Sequence, residues 1–158
     1  MTSTPRAERP HMPAGYLSPK LLPWTWAESR LTESRSYWVA TVTAEGEPHS
    51  RPVWAIWHDG NLYFSNGSRT RRNLERGSAI SINLESADEC VILEGTASPL
   101  LDLPRAEHVA ALYNAKYSWN LEAKAGELLE VKPRVVFGWI VDGSGRDGGA
   151  LFSQTATR

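Results

Sequence analysis

The chain has 158 residues, of which 41% are apolar and 22% charged, and its formal net charge is −1. This is enough chain for one compact domain, too apolar for a disordered polyelectrolyte, and too near neutrality for a global field to draw it to nucleic acid or an anionic membrane. The single cysteine, Cys90, excludes an intramolecular disulfide, and no apolar run approaches the ~20 residues that span a bilayer.

Residues 1–23 contain Pro5, Pro10, Pro13, Pro19 and Pro23 and little periodicity. They predict a flexible or draped tail ahead of one domain at 24–158. Met1 to Pro10 has no apolar signal-peptide core, so a cytoplasmic location is expected. A helix is predicted from Trp26 to Arg35, with Pro23 just before it. A strand follows at Tyr37–Thr43, where Trp38, Ala40 and Val42 alternate against Thr41 and Thr43. His49–Trp57 reads as a second strand, and Pro52 within it argues for an edge or a bulge. Asp59-Gly60 is a hairpin signal leading into a third strand at Asn61–Asn66.

From Ser68 the pattern turns helical to about Arg76, with Ser68 as N-cap and Gly77 as the stop. Ala79–Leu84 alternates cleanly and Cys90–Ala97 is a fifth strand. Asp102 caps a second long helix running to Tyr117, and Val131–Val141 is the last clear strand. Gly143–Gly149 reads as a glycine-rich loop. The strands come mostly as hairpins with helices inserted between them. The predicted fold is therefore mainly β, a six-stranded antiparallel split β-barrel with peripheral helices.

Anion-binding chemistry concentrates where the third strand meets the next helix, in Ser65-Asn66-Gly67-Ser68-Arg69-Thr70-Arg71-Arg72-Asn73-Leu74. A helix start offers unpaired N–H groups and partial positive charge, and guanidinium groups grip phosphate. Across the Asp-Gly hairpin, Arg51–Val53 falls near Ser65. Taken alone, the same residues also suit a capped surface helix with solvated arginines beside an ordinary edge strand. His49, His58 and His108 read as structural or surface residues, and no general acid or base announces itself, so no catalytic residue is assigned. No His, Cys, Asp and Glu set has metal-ligand spacing, and neither GxGxxG nor a P-loop sequence is present.

The ordered set Ser50-Arg51-Pro52-Val53-Trp54, Asp59–Asn66, Ser68-Arg69, Asn73-Leu74 and Glu94-Gly95-Thr96-Ala97 resembles the pyridoxamine 5'-phosphate oxidase-like split-barrel superfamily, over roughly residues 24–141. Tyr113–Tyr117, Val136–Trp139 and the terminal Thr-Ala-Thr-Arg look like its branch of F420-dependent reductases. The resemblance implies a homodimer with two cofactor sites at its interface, binding F420 or FMN. It implies that Arg51, Pro52, Val53 and Trp54 line the ring, that Phe64, Ser65 and Asn66 end the adjoining strand, and that Ser68, Arg69 and Thr70 hold phosphate. Thr70 departs from the pattern, which has lysine there; Arg71 or Arg72 would have to supply the charge. The arginine-histidine substrate signature of the vitamin B6 oxidases is missing.

The expected function is thus a flavin-type, F420- or FMN-dependent oxidoreductase transferring a hydride to or from a small organic substrate. The longer anionic tail of F420 suits the arginines. The alternative is a non-catalytic barrel that holds a flavin, haem or other ligand. Nucleic-acid and membrane partners are not expected.

Overall fold

The computed structural model describes residues 4–9, 20–65, 67, 69–141 and 148–153. Asn66, Ser68, 143–147 and Arg158, all read for function or form above, lie outside them. Among the described residues the chain forms β1 (Arg6–Glu8), α1 (Trp24–Glu33), β2 (Tyr37–Val42), β3 (Pro48–Val53), β4 (Ala55–His58), β5 (Asn61–Phe64), α2 (Arg69–Arg76), β6 (Ala79–Asn83), β7 (Glu89–Pro99), α3 (Leu103–Tyr117), β8 (Leu129–Ile140) and β9 (Gly148–Ser153). Every strand pairing is antiparallel, in the order β1-β9-β8-β7-β6-β2-β3, with β5 joining β8 and β4 joining β5. This is the antiparallel barrel with peripheral helices that the sequence predicts.

Three features add strands to the expected six. The stretch 49–57 breaks at Trp54 into β3, which pairs only with β2, and β4, which pairs only with β5. Pro52, which has no N–H for a ladder, accordingly sits on an edge strand. The chain also continues beyond the expected last strand: Gly148–Ser153 pairs with β8 from Ile140 to Val135, so this part of the glycine-rich segment is strand and not loop. Arg6–Glu8, within the predicted tail, lies along β9.

β8 is long enough to serve both halves of the barrel. Its first residues pair with β5, Leu129 opposite Phe64, and its last six with β9. Between them the β7–β8 register shifts at Glu94/Gly95, where Val135 faces Glu94, Pro133 faces Gly95 and Arg134 of β8 is the extra, bulged residue. A side chain at Gly95 would overlap the carbonyl oxygen of Lys132, so glycine is needed where the two backbones approach.

The core inside the barrel includes Tyr37, Val39, Leu62, Phe64, Ile82, Leu93, Val131, Val136 and Phe152, with Ala27 and Leu31 of α1 packed into it. On β2 the inward residues are Tyr37, Val39 and Thr41; Trp38 and Val42 point outward, 42% and 57% exposed. A second cluster joins α3 to β4 and β5 through Ile56, Tyr63, Val109, Tyr113 and Tyr117. α3 starts as predicted, with the Asp102 carboxylate accepting the Arg105 N–H at 3.0 Å. Arg105 also donates to buried Glu130 and to the Tyr63 hydroxyl, which ties the helix start to β5 and β8.

Gly95→Ala is expected to lower stability by about 1–3 kcal/mol through overpacking at the bulge. Gly77→Ala, where no atom lies within 4 Å of the new methyl, should leave the urea midpoint nearly unchanged. Equal midpoints for the two variants would show that the bulge does not need glycine.

Candidate functional site

The split between β3 and β4 places Trp54 at a discontinuity in the sheet, and a cleft of about 450 Å³ opens there. Its lining is Ser36, Pro52, Val53, Trp54, Ser65, Gly67 and Tyr113. The hairpin register, Ala55 opposite Phe64, brings the preceding residue Trp54 level with Ser65, one residue beyond the Arg51–Val53 expected from the sequence. Of the expected ring-binding residues, Pro52, Val53, Trp54 and Ser65 therefore meet in one place. Phe64 does not join them. It is fully buried in the barrel core, because alternation along β5 turns it to the opposite face from Ser65.

The wall of the cleft is aromatic and held rigidly. Trp54 stacks on Tyr117 at 4.7 Å with planes 3° apart, and Trp119, 59% exposed, meets Trp54 edge-on at 5.9 Å. Above them lies the Arg35 guanidinium, 5.3 Å from the Trp54 ring centre and 5.7 Å from that of Tyr117. Tyr113 and Tyr117 arrive together because they are four residues apart on α3. That spacing is visible in the sequence. The docking of α3 against β4 is not, and neither Ser36 nor Arg35 carries a local signal of its role.

Tyr117 fixes the geometry. Its hydroxyl accepts the Ala55 N–H at 3.0 Å and lies 2.8 Å from the Ala55 carbonyl and 2.9 Å from that of Arg35. Burial pushes this phenol up to about 12. Next to it, Lys116 Nζ donates to the carbonyls of Thr32 and Ala55 and to the Tyr37 hydroxyl. Burial pushes Lys116 down to about 8. Tyr37 in turn donates to Leu31 O at 2.6 Å. The end of α3 thus clasps α1, β2 and β4 together.

The predicted arginine segment divides three ways. Thr70 is buried and turned under the helix, so it adds neither charge nor a reachable hydroxyl to the surface. Arg71 reaches sideways and donates to the carbonyls of Gly126 and Glu127 at 2.8 and 2.6 Å, while Ser65 donates to the Glu127 carboxylate at 3.2 Å. Arg71 therefore anchors the 126–127 loop beside the cleft. Arg69 and Arg72 face outward with Arg76, Asn73, Thr43 and Glu45 along a groove of about 350 Å³. Spacing of three and seven residues puts these arginines on one helix face. None of the three has an ion-pair partner among the described residues. Arg51 is exposed on β3 and makes only a local bond to Ser50 O. Gly67 of the cleft and Arg69 of the groove are two residues apart in the chain, where β5 leads into α2.

Tyr117→Phe retains the ring stack but leaves the buried Ala55 N–H unpaired, so a loss of about 1–3 kcal/mol is expected in urea unfolding. Tyr113→Phe, which loses no hydrogen bond among the described residues, is the control. Indistinguishable stabilities would show that the Tyr117 hydroxyl is not the clasp.

Comparison with known proteins agrees with this geometry. A curated pyridoxine/pyridoxamine 5'-phosphate oxidase from Aliivibrio fischeri is 32% identical over 130 residues, covering 72% of this chain and 61% of the relative. The chain thus matches somewhat under two thirds of that protein's length. An F420 reductase structure aligns with a TM-score of 0.54 at 21% identity, covering 79% of this chain and 98% of the other. The haem storage protein HutZ from Vibrio cholerae aligns with a TM-score of 0.54 at 19% identity, covering 69% and 85%. These two likenesses are of fold. The family model described as pyridoxamine 5'-phosphate oxidase matches residues 26–140, a span that holds the cleft, the Tyr117 clasp and the arginine face of α2, and the chain belongs to that family.

Proposed function

We propose that this protein is an oxidoreductase that uses a flavin-type cofactor, F420 or FMN, to move a hydride to or from a small organic substrate. The observation that carries the reading is the closeness of two surfaces, since Gly67 of the cleft is two residues from Arg69 of the groove. A planar aromatic and aliphatic wall, Pro52-Val53-Trp54, adjoins a cationic corner formed by Arg51 and Arg69. A flat ring joined to an anionic arm needs this pairing of surfaces. The cleft volume lies within the range of small-ligand sites. In this reading Val53 and Trp54 bear on the ring, Ser65 and Gly67 approach it from the helix start, and Arg51 and Arg69 hold phosphate with Ser68. When bound, the cofactor supplies the hydride chemistry. The chain's own residues bind it, orient it and exclude water from one face. The rigid Trp54–Tyr117 stack and exposed Trp119 suit a planar or unsaturated substrate.

F420 is favoured over FMN because Arg72 and Arg76 continue the positive face beyond Arg69. A single phosphate would use only the near end of that face, whereas a longer anionic tail would follow it. The second reading, a barrel that holds flavin or haem without turnover, draws on the burial of Thr70 and on the fold likeness to HutZ.

We further propose that two copies pair through the outward face of the sheet. In register, Pro52, Trp38, Asn83, Ile92, Phe137 and Leu151 form one row across six strands, from the cleft edge to β9. Five of these six are apolar, and none belongs to the barrel core. A second chain on this row would stand over the cleft and complete it.

Titration with F420 and with FMN tests the cofactor. Arg51→Ala and Arg69→Ala should each weaken binding by about 10- to 100-fold, as expected for one charge-assisted contact. Arg76→Ala should weaken F420 alone. No binding of either cofactor at tens of micromolar would end the reading, and binding without turnover of any acceptor would favour the second. Trp38→Glu should give a monomer in sedimentation equilibrium; an unchanged assembly would exclude this face as the interface.

A further inference from the structure

His49 is left out of the site described so far. It lies on β3, is 7% exposed, and neither of its ring nitrogens has a hydrogen-bond partner. Among the described residues it is the only buried side chain with unpaired polar atoms. Leaving a buried donor or acceptor unpaired is costly, so such a ring needs an explanation.

Its position supplies one. His49 pairs across the ladder with Thr41, and directly opposed residues share a sheet face. That face lies under α2, because Thr41 Oγ1 accepts from Asn73 of that helix at 3.0 Å. Along β3 the same face carries His49, Arg51 and Val53 in turn. Val53 lines the cleft, while Asn73, beside Thr41, lines the arginine groove. The ring therefore lies on the face that α2 covers at Asn73 and that reaches the cleft at Val53. Burial, and then the charges of Arg51 and Arg69, hold it below the ordinary imidazole range. On this face β2 carries Tyr37, Val39 and Thr41, with Thr43 just beyond its end, and the carboxylates of Glu45 and Glu47 are exposed at the β2–β3 turn.

We propose that His49 is a further binding residue of the anion site, donating a ring N–H to a phosphate-type anion held by Arg51 and Arg69. This rests on the reading of that corner as the cofactor's anion site. The sign of the coupling follows. Without the anion, the two arginines oppose protonation of the ring. A dianion between them offsets their field and accepts from the ring, so the imidazolium is favoured. Binding then takes up a proton, and affinity rises as pH falls from 8 to 6. The rise is about tenfold for each unit by which the anion raises the ring's pKa.

The test is calorimetric titration of the full chain with FMN or F420, whichever binds, at pH 7 in buffers of different ionisation enthalpy. The wild type should take up more protons than His49→Gln, which can still donate a hydrogen bond but cannot titrate. Protonation of the ligand's own phosphate is common to both proteins and cancels in the difference. NMR titration of the His49 ring in the wild type, with and without ligand, needs no variant and should show its pKa rising on binding. Tight binding with equal proton uptake and an unmoved ring would overturn the proposal while leaving the cofactor reading intact. If neither cofactor binds, the cofactor reading falls, and the same ring titration with inorganic pyrophosphate decides His49: an unmoved ring overturns the proposal, a raised pKa supports it.

Discussion

The hydrogen bonds between the Tyr117 hydroxyl and the backbone of Ala55 organise the candidate site. β4 pairs only with β5, so its other edge presents N–H and C=O groups with no strand to meet them. Unpaired backbone groups in a buried setting are costly. Tyr117 accepts from one, and Lys116 donates to the other. Two side chains at the end of α3 thereby do the work of a neighbouring strand at one residue. Because the edge is closed by side chains, the barrel can stay split between β3 and β4, and Trp54 occupies the split with its ring laid flat on Tyr117. The cleft, its aromatic wall and the attachment of α3 all follow from this arrangement.

Electrostatics divides the neighbouring helix in a way that composition cannot show. Arginines near a helix start oppose the macrodipole. α2 carries three within its first four residues, Arg69, Arg71 and Arg72. Its 100° turn per residue sends them to different tasks. Arg71 satisfies loop carbonyls, and Thr70, Asn73 and Leu74 pack inward. Arg69 and Arg72 are left facing outward, joined one turn later by Arg76. A chain with net charge −1 thus keeps a local cationic face, next to the one buried imidazole that has no partner.

The outward face of the barrel bears on both. β2 is apolar on its two sides, with Tyr37 and Val39 facing the core and Trp38 and Val42 facing out. Ordinary amphipathic strands alternate apolar with polar. A strand that does not, and whose outward residues continue in register across the sheet, fits the proposed pairing of two copies.

Much of this was legible in the residues. Alternation, the Asp-Gly hairpin, the Asp102 cap and Pro52 as an edge residue are local physics, and each element they predict is present within a few residues. The meeting of Pro52 and Val53 with Ser65 was also legible, because a two-residue hairpin fixes its own register. Local pattern misled where long-range pairing decides. The break at Trp54 and the strand at Gly148–Ser153 exist because of partners distant in the chain. The phase of β2 was equally hidden, since both of its faces carry apolar residues. By itself, then, the sequence determined the class of fold and the family and pointed to the neighbourhood of the proposed anion site, all of which rest on short-range spacing and motif order. Only the tertiary structure decided which arginines remain outward, that Tyr117 replaces a strand at Ala55, and that His49 is buried with both ring nitrogens unpaired. The reason is physical: burial and charge compensation are properties of residues brought together from separate elements.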